Sequence, residues 1–361
     1  MDINNLPQSI LNEREFVAAR DEQDVELRRS DILRVKKELN NLFPFRPLIF
    51  CLSENSIGSL CGYVVFLEGA WPALMLNSHI DRELLKGLIE SYGPTHLWTP
   101  DRFVQEFVAQ GYEPIYSAYG YSLLQVPNMM PVNLHKDLAL LLSTSGSTGS
   151  PKLIRTTYRN IICNAVSIAE YLEIKETDRP ITILPMSYSY GLSVLNSHLL
   201  KGATVLVTNR SIVEDDFWDF FNLKRATSIS GVPYTYEILL KLKFFDFQLP
   251  SLKVLTQSGA SLSEELSELY ALKCRDKGWK FYKMYGQSEG TSRLCYMPYK
   301  EIFGRYGSVG KAIPGGEILL MDEEGQEING PEKIGELVYR GGNVTMGYAE
   351  KREDLALGDV W

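Results

Sequence analysis

The chain is 361 residues long, with 45% apolar and 23% charged residues and a formal net charge of −8. Those are ordinary globular proportions, which argue against a disordered or membrane-embedded chain, and the acidic balance argues against broad nucleic-acid binding through basic patches. At roughly 150 residues per domain, the length allows two to three packed units.

The opening residues, Met1-Asp2-Ile3-Asn4-Asn5, lack the basic and then apolar pattern of a secretory leader. No stretch approaches the length of a membrane span, so the expected location is cytoplasmic. Residues 30–42 place Ile32, Val35, Leu39 and Leu42 at helical spacing, and Pro44 closes that helix. Short apolar runs at 48–52, 63–67, 73–76 and 121–126 read as strands, alternating with helical patterns such as 81–92. A buried strand is expected at 138–142, a hydroxyl- and glycine-rich loop after it, and a helix at 160–172. The alternation resumes with strands near 181–184, 204–207, 229–230 and 252–256 and helices at 191–200 and 214–223. From about residue 303 helical periodicity fades into short strands and glycine turns. The fold class is therefore α/β, with two doubly wound sheets and a small β-rich subdomain. The expected division is 1–175, 176–300 and 301–361.

The run from Ser143 to Lys152 concentrates the chemistry. Gly146 and Gly149 let backbone N–H groups turn inward, and Thr144, Ser145, Ser147 and Thr148 add hydroxyls, so the loop can wrap an oligophosphate. A solvated Ser/Gly linker is the plain alternative. The Walker P-loop does not fit, because it needs four residues between its glycines and a hydroxyl after the lysine, where Leu153 stands. The five cysteines form no close pair and the four histidines no metal-ligand spacing, so neither set is given a catalytic role.

The loop at 144–152 resembles the phosphate loop of the adenylate-forming superfamily, which includes acyl-CoA synthetases, aryl-acid ligases and peptide-synthetase adenylation domains. Further motifs follow in that family's order. Ser258, Gly259 and Ala260 resemble its adenine-side turn, and Tyr285, Gly286, Gln287, Ser288 and Glu289 resemble its Tyr-Gly-x-Thr-Glu signature. Gly358 and Asp359 resemble its ribose-binding aspartate motif. The likeness extends over about 138–361, and earlier residues share only the general layout.

The resemblance implies a large domain of two doubly wound sheets and a distorted β-barrel, with the site where they meet. It implies ATP and Mg²⁺ as cofactors, with Thr148 and Glu289 as metal-associated residues. Thr144, Ser145, Gly146, Ser147, Thr148, Gly149 and Lys152 would hold the phosphates, and Ser288 would meet the α-phosphate. Ser258, Gly259, Ala260, Tyr285, Gly286 and Asp359 would seat the nucleoside. The implied reaction joins a carboxylic acid to AMP as an acyl-adenylate with release of pyrophosphate, followed by transfer to CoA or to a carrier-protein phosphopantetheine. Family members also carry a small C-terminal lid domain with a catalytic lysine, which has no counterpart in this sequence.

The acid pocket is expected from Tyr188, Tyr190, Gly191, Val232, Pro233 and Met284, with Tyr234 beside them. Tyr188 stands where acyl-CoA synthetases usually have His, and the Asp that pairs with an amino-acid ammonium is absent, which disfavours an amino-acid substrate. Arg293 is placed at the surface, with an acidic substrate tail as the alternative partner. Two other readings stay open: a non-catalytic ATP- or acyl-binding module that regulates or recruits a partner, and an amino-acid adenylation domain.

Overall fold

The computed structural model describes residues 6–128, 130–143, 152–330 and 332–359. Its architecture is mixed α/β. The larger of the two main sheets has eight strands, in the order Tyr348–Ala349, Leu153–Thr157, Leu138–Ser143, Ala73–Asn77, Ile49–Ser53, His96–Pro100, Tyr121–Gln125 and Glu113–Ala118. Its centre is parallel. Side chains alternate across the sheet with the two-residue period of a strand: Ile49, Cys51, Ala73 and Met75 face one core, while Phe50, Leu52, Leu74 and Leu76 face another. Helices Arg29–Asn40, Ile57–Glu68 and Ser189–Leu200 cover the first face, and helix Arg82–Tyr92 covers the second.

The second main sheet has five strands, Ser228–Gly231, Val254–Gln257, Lys280–Tyr285, Cys295–Met297 and Lys311–Ala312. The first three are parallel and in step, Gly231 opposite Gln257 and Gln257 opposite Lys283. Their carboxyl ends therefore open along one edge. Smaller sheets complete the described residues: Val17–Asp21 lies between Val205–Val207 and Glu26–Arg28, and Gly316–Met321 pairs with Glu336–Gly341.

Three expectations are corrected. Residues 63–67 are not a strand but part of helix Ile57–Glu68, whose residues from Ile57 to Leu67 are all buried. Such a helix shows no polar face, and its apolar run is indistinguishable from a core strand by periodicity alone. The loop after Ser143 does not lead straight into a helix. It joins two antiparallel strands, with Ser143 opposite Leu153 and Leu138 opposite Thr157. The helix starts only at Tyr158, where Thr157 and Asn160 form a reciprocal capping box. Near 181–184 only bridges form, Pro180 with Ser228 and Ile181 with Leu206.

Candidate functional site

The turns that leave the three parallel strands converge at the carboxyl edge of the five-stranded sheet. Ligands of open α/β sheets bind outside such strand ends. Here a cavity of about 220 Å³ is lined by Tyr188, Ser189, Tyr190, Ser258, Gly259, Gly286, Gln287, Ser288, Glu289, Ser292, Arg293 and Ile154.

Two glycines keep its walls open. Gly259 sits at φ +93°, and a Cβ there would come within 2.8 Å of the Tyr188 hydroxyl and 2.9 Å of Val232 Cγ1. A Cβ on Gly286 would run into the carbonyl of Ser292. Close packing of these turns against neighbouring protein atoms therefore admits only glycine at both positions.

The Gly286–Arg293 turn is held from behind. Asn343 Nδ2 donates to the carbonyls of Gly290 (2.7 Å) and Arg293 (2.9 Å), and its Oδ1 accepts from the Tyr339 hydroxyl at 2.8 Å. Ser288 Oγ lies 2.9 Å from Ser189 Oγ, tying the turn to the helix Ser189–Leu200. Glu289 Oε1 accepts from the Tyr348 hydroxyl at 2.6 Å. Burial, and then the Glu289 carboxylate beside it, pushes the Tyr348 phenol up to about 12, so it remains a proton donor at neutral pH.

Of the residues expected from sequence, Tyr188, Tyr190, Ser258, Gly259, Gly286, Ser288 and Glu289 line this one cavity. Tyr285 and Ala260 are exposed beside it. Val232, Pro233, Gly191 and Met284 are not among its lining residues. Val232 caps helix Pro233–Lys241 against Gly259. Gly191 packs on the Pro185 carbonyl, and Met284 is buried with its sulfur accepting from Tyr171 at 3.0 Å. Tyr234 is 66% exposed and forms no slot with Tyr188. Thr144, Ser145, Gly146, Ser147, Thr148 and Gly149 lie outside the described residues. Lys152 Nζ pairs with Glu350 at 2.6 Å. Asp359 is exposed, and the carbonyls just before it are held by buried Arg155, which reaches Leu357 (2.5 Å) and Gly358 (3.1 Å).

The largest departure is Arg293, which is 2% exposed rather than at the surface. Its guanidinium lies 3.8 Å from the Tyr190 ring centroid, a cation–π contact that a four-residue offset along the chain does not announce. Tyr348, Asn343, Arg155 and Glu350 were also missed. Each acts across some 50 to 200 residues of chain, and no local pattern marks them.

The residues present fit a nucleotide with Mg²⁺. Gly259 and Gly286 line the cavity, the half-exposed Tyr285 phenol offers a stacking face, and Glu289 is a hard oxygen ligand. Among the described residues no group of three or more acids, histidines or cysteines gathers. Mg²⁺ is commonly held by one or two carboxylates together with substrate phosphates, which suits a single Glu289.

Fold and site define the large domain of an adenylate-forming enzyme. The chain belongs to the AMP-binding enzyme family, whose model matches residues 122–349. It is 28% identical over 289 residues to the 2-succinylbenzoate–CoA ligase of Bacillus cytotoxicus, covering 78% of this chain and 56% of the relative. It is 30% identical over 246 residues to the feruloyl-CoA synthase of an Amycolatopsis species, covering 65% and 47%. The chain thus spans about half the length of these curated relatives. The o-succinylbenzoate CoA synthetase of Bacillus subtilis, solved in complex with ATP and magnesium, superposes with a TM-score of 0.74 at 25% identity, covering 92% of this chain and 70% of that one. The same synthetase solved with an acyl-adenylate intermediate gives 0.75, with coverage of 92% and 68%. No helix of the described residues is long and apolar enough to cross a membrane.

Proposed function

We propose that this chain binds ATP and a small carboxylic acid at the edge cavity and joins them as an acyl-adenylate, releasing pyrophosphate. The adenylate then passes to the thiol of CoA; a carrier-protein phosphopantetheine is the other acceptor of the same chemistry. The observation that carries this reading is the convergence of Tyr188, Gly259, Gly286, Ser288 and Glu289 on one cavity. The activities of the relatives, CoA ligases of 2-succinylbenzoate and ferulate, support it.

A carboxylate is already nucleophilic, so the residues need supply no base. Their work is to hold two anions in line and disperse charge on the transferring phosphoryl group. Lys152 exchanges its exposed partner Glu350 for phosphate oxygens, with Thr144, Ser145, Gly146, Ser147, Thr148 and Gly149 as the cradle. Ser288, held by Ser189, meets the α-phosphate. Tyr348 keeps the Glu289 carboxylate oriented toward the metal site, which it shares with Thr148. Mg²⁺, when bound there, neutralises the charge of the departing pyrophosphate. Tyr285 stacks on adenine, Ser258 and Ala260 flank it, and Asp359 accepts from the ribose hydroxyls. Val232, Pro233, Gly191 and Met284 shape the acid pocket from behind its lining. The three-part division at 175/176 and 300/301 belongs to this proposal, supported by the separate apolar cores of the two main sheets. A cytosolic setting belongs to it as well, supported by five buried cysteines that are all unbridged.

The test is calorimetric titration of ATP with and without Mg²⁺, followed by hydroxamate trapping over a panel of acids, in the wild type and in Glu289→Gln. The expected result is a Mg²⁺-dependent gain in ATP affinity that the variant loses, with adenylation falling by about 10²–10³, the usual cost of one preorganised charge-stabilising group. Indifference of ATP binding to both Mg²⁺ and the substitution would leave a non-catalytic binding module and overturn the proposal.

A further inference from the structure

Arg293 is a fully buried cation with no ion pair among the described residues. Nη1 donates to Ser292 Oγ at 2.5 Å and, at 3.5 Å, to the Ser292 carbonyl, while Nε is buried without any partner. Tyr190 covers one face of the guanidinium, and the Tyr190 hydroxyl is already committed to the Thr256 carbonyl at 2.8 Å. The neutral hydroxyls of Ser292 and of nearby Tyr171, with a ring face, do not compensate a desolvated guanidinium, whose burial is tolerated when an anion meets it with good geometry.

Among the described residues no carboxylate pairs with the guanidinium: Glu289 lines the same edge cavity but is held by the Tyr348 hydroxyl at 2.6 Å. Arg293 lines the edge cavity and also a smaller inner cavity of about 30 Å³, bounded by Val194, His198, Ser230 and Thr256. Burial lowers His198 to about 4, so it is neutral, and neither hydroxyl carries charge. Asp178, which also lines that inner cavity, is held by Lys253 at 3.1 Å. The guanidinium thus borders both spaces, without an ion-pair partner among the described residues.

We infer that Arg293 is the counter-ion for the far end of the substrate, and that the acid activated here is a short dicarboxylic acid whose second carboxylate docks on this guanidinium. The inference rests on the adenylation reading of the cavity. With one carboxylate beside Ser288 and Tyr188, the remainder of the acid points inward and ends at Arg293. The inner space that Arg293 also lines is only about 30 Å³, which suits a short acid better than a long aliphatic tail. A second carboxylate there would take the unused Nε–H as a charge-assisted hydrogen bond, the strong kind in a dry site. Arg293 is thus a specificity-determining residue.

The test uses three probes on the chain as it stands: 5′-O-sulfamoyladenosine, its N-glutaryl derivative, and the monomethyl ester of that derivative. The first reads the nucleotide site alone, and the ratio of the other two reads Arg293. Calorimetry is expected to show the free ω-carboxylate binding about 10- to 100-fold tighter than its ester, as for a buried charge-assisted contact. In Arg293→Gln that ratio collapses toward one, and in Arg293→Lys part of it survives. Because the ratio is taken within each variant, a general loss of fold or affinity cancels, and thermal melts report any unfolding separately. An ester that binds as tightly as the acid, or a ratio that survives Arg293→Gln, overturns the inference. Failure of sulfamoyladenosine itself to bind the wild type would instead overturn the adenylation reading, and this inference with it.

Discussion

The rim and the floor of the edge cavity are built in opposite ways. The rim consists of Gly259, Ala260, Tyr285, Gln287 and the Lys152–Glu350 pair, all at least partly exposed and mostly set on short turns at strand ends. The floor consists of Tyr190, Ser292 and Arg293, buried, and braced from behind by Asn343. Water screens whatever the rim does, so its charges can change partners cheaply when a ligand arrives. On the floor each polar group must be matched, because an unmet one is costly in a low-dielectric setting. The contrast implies that substitutions in the floor cost stability and selectivity, and that substitutions in the rim alter ligand exchange with little effect on the fold.

The largest expected effect comes from acid acting on the floor. His198, buried beside the inner cavity with Nδ1 against the Val194 carbonyl at 2.8 Å, is held at about 4 by desolvation, opposed in part by that hydrogen bond and by Asp178. Its folded value lies below the unfolded one of about 6.5, so the unfolded chain binds the extra proton in between. The stabilisation is complete above pH 6.5 and is lost as pH falls toward 4, by about 3 kcal/mol at 1.36 kcal/mol per pKa unit. Urea unfolding of wild type and His198→Gln across that range should show a steeper acid decline in the wild type. Parallel curves would mean that the floor is wet.

Asn343→Ala should come next. It removes the Asn343 donor from the carbonyl of Gly290 and leaves the Arg293 carbonyl with Asn164 Nδ2 at 3.2 Å, at a cost of about 2 kcal/mol in unfolding free energy. A cost near zero in denaturant titration would show the bracing to be dispensable. The smallest effect is expected at the rim, where Glu350→Gln removes an ion pair whose partners are 55% and 62% exposed. Stability should change by less than about 1 kcal/mol, while ATP binding tightens because Lys152 loses its competing carboxylate. Weaker ATP binding in this variant would remove Lys152 from the phosphate site.

Legibility in the sequence followed the same division. The turns at 258–260 and 285–289 carry their chemistry within a few consecutive residues, and the structure brings them to one edge because the strands before them are parallel and in step. Helix Ile57–Glu68 was misread because burial on every side erases the periodic contrast that betrays a helix. The return strand Leu153–Thr157 was missed because a hairpin arm of mixed residues reads as the start of the helix behind it.

What the chain order of residues determined alone was the family and the fold class: the turn motifs at 258–260 and 285–289 and the alternating α/β elements are all local patterns. What only the tertiary structure decided was which side chains face each other without water between them. Arg293 is four residues past a legible motif, yet its meaning comes from the Tyr190 ring beside it and a buried Nε that no partner meets among the described residues. Burial and pairing are properties of three-dimensional neighbourhoods, and contacts between residues a hundred positions apart leave no trace in the spacing of either.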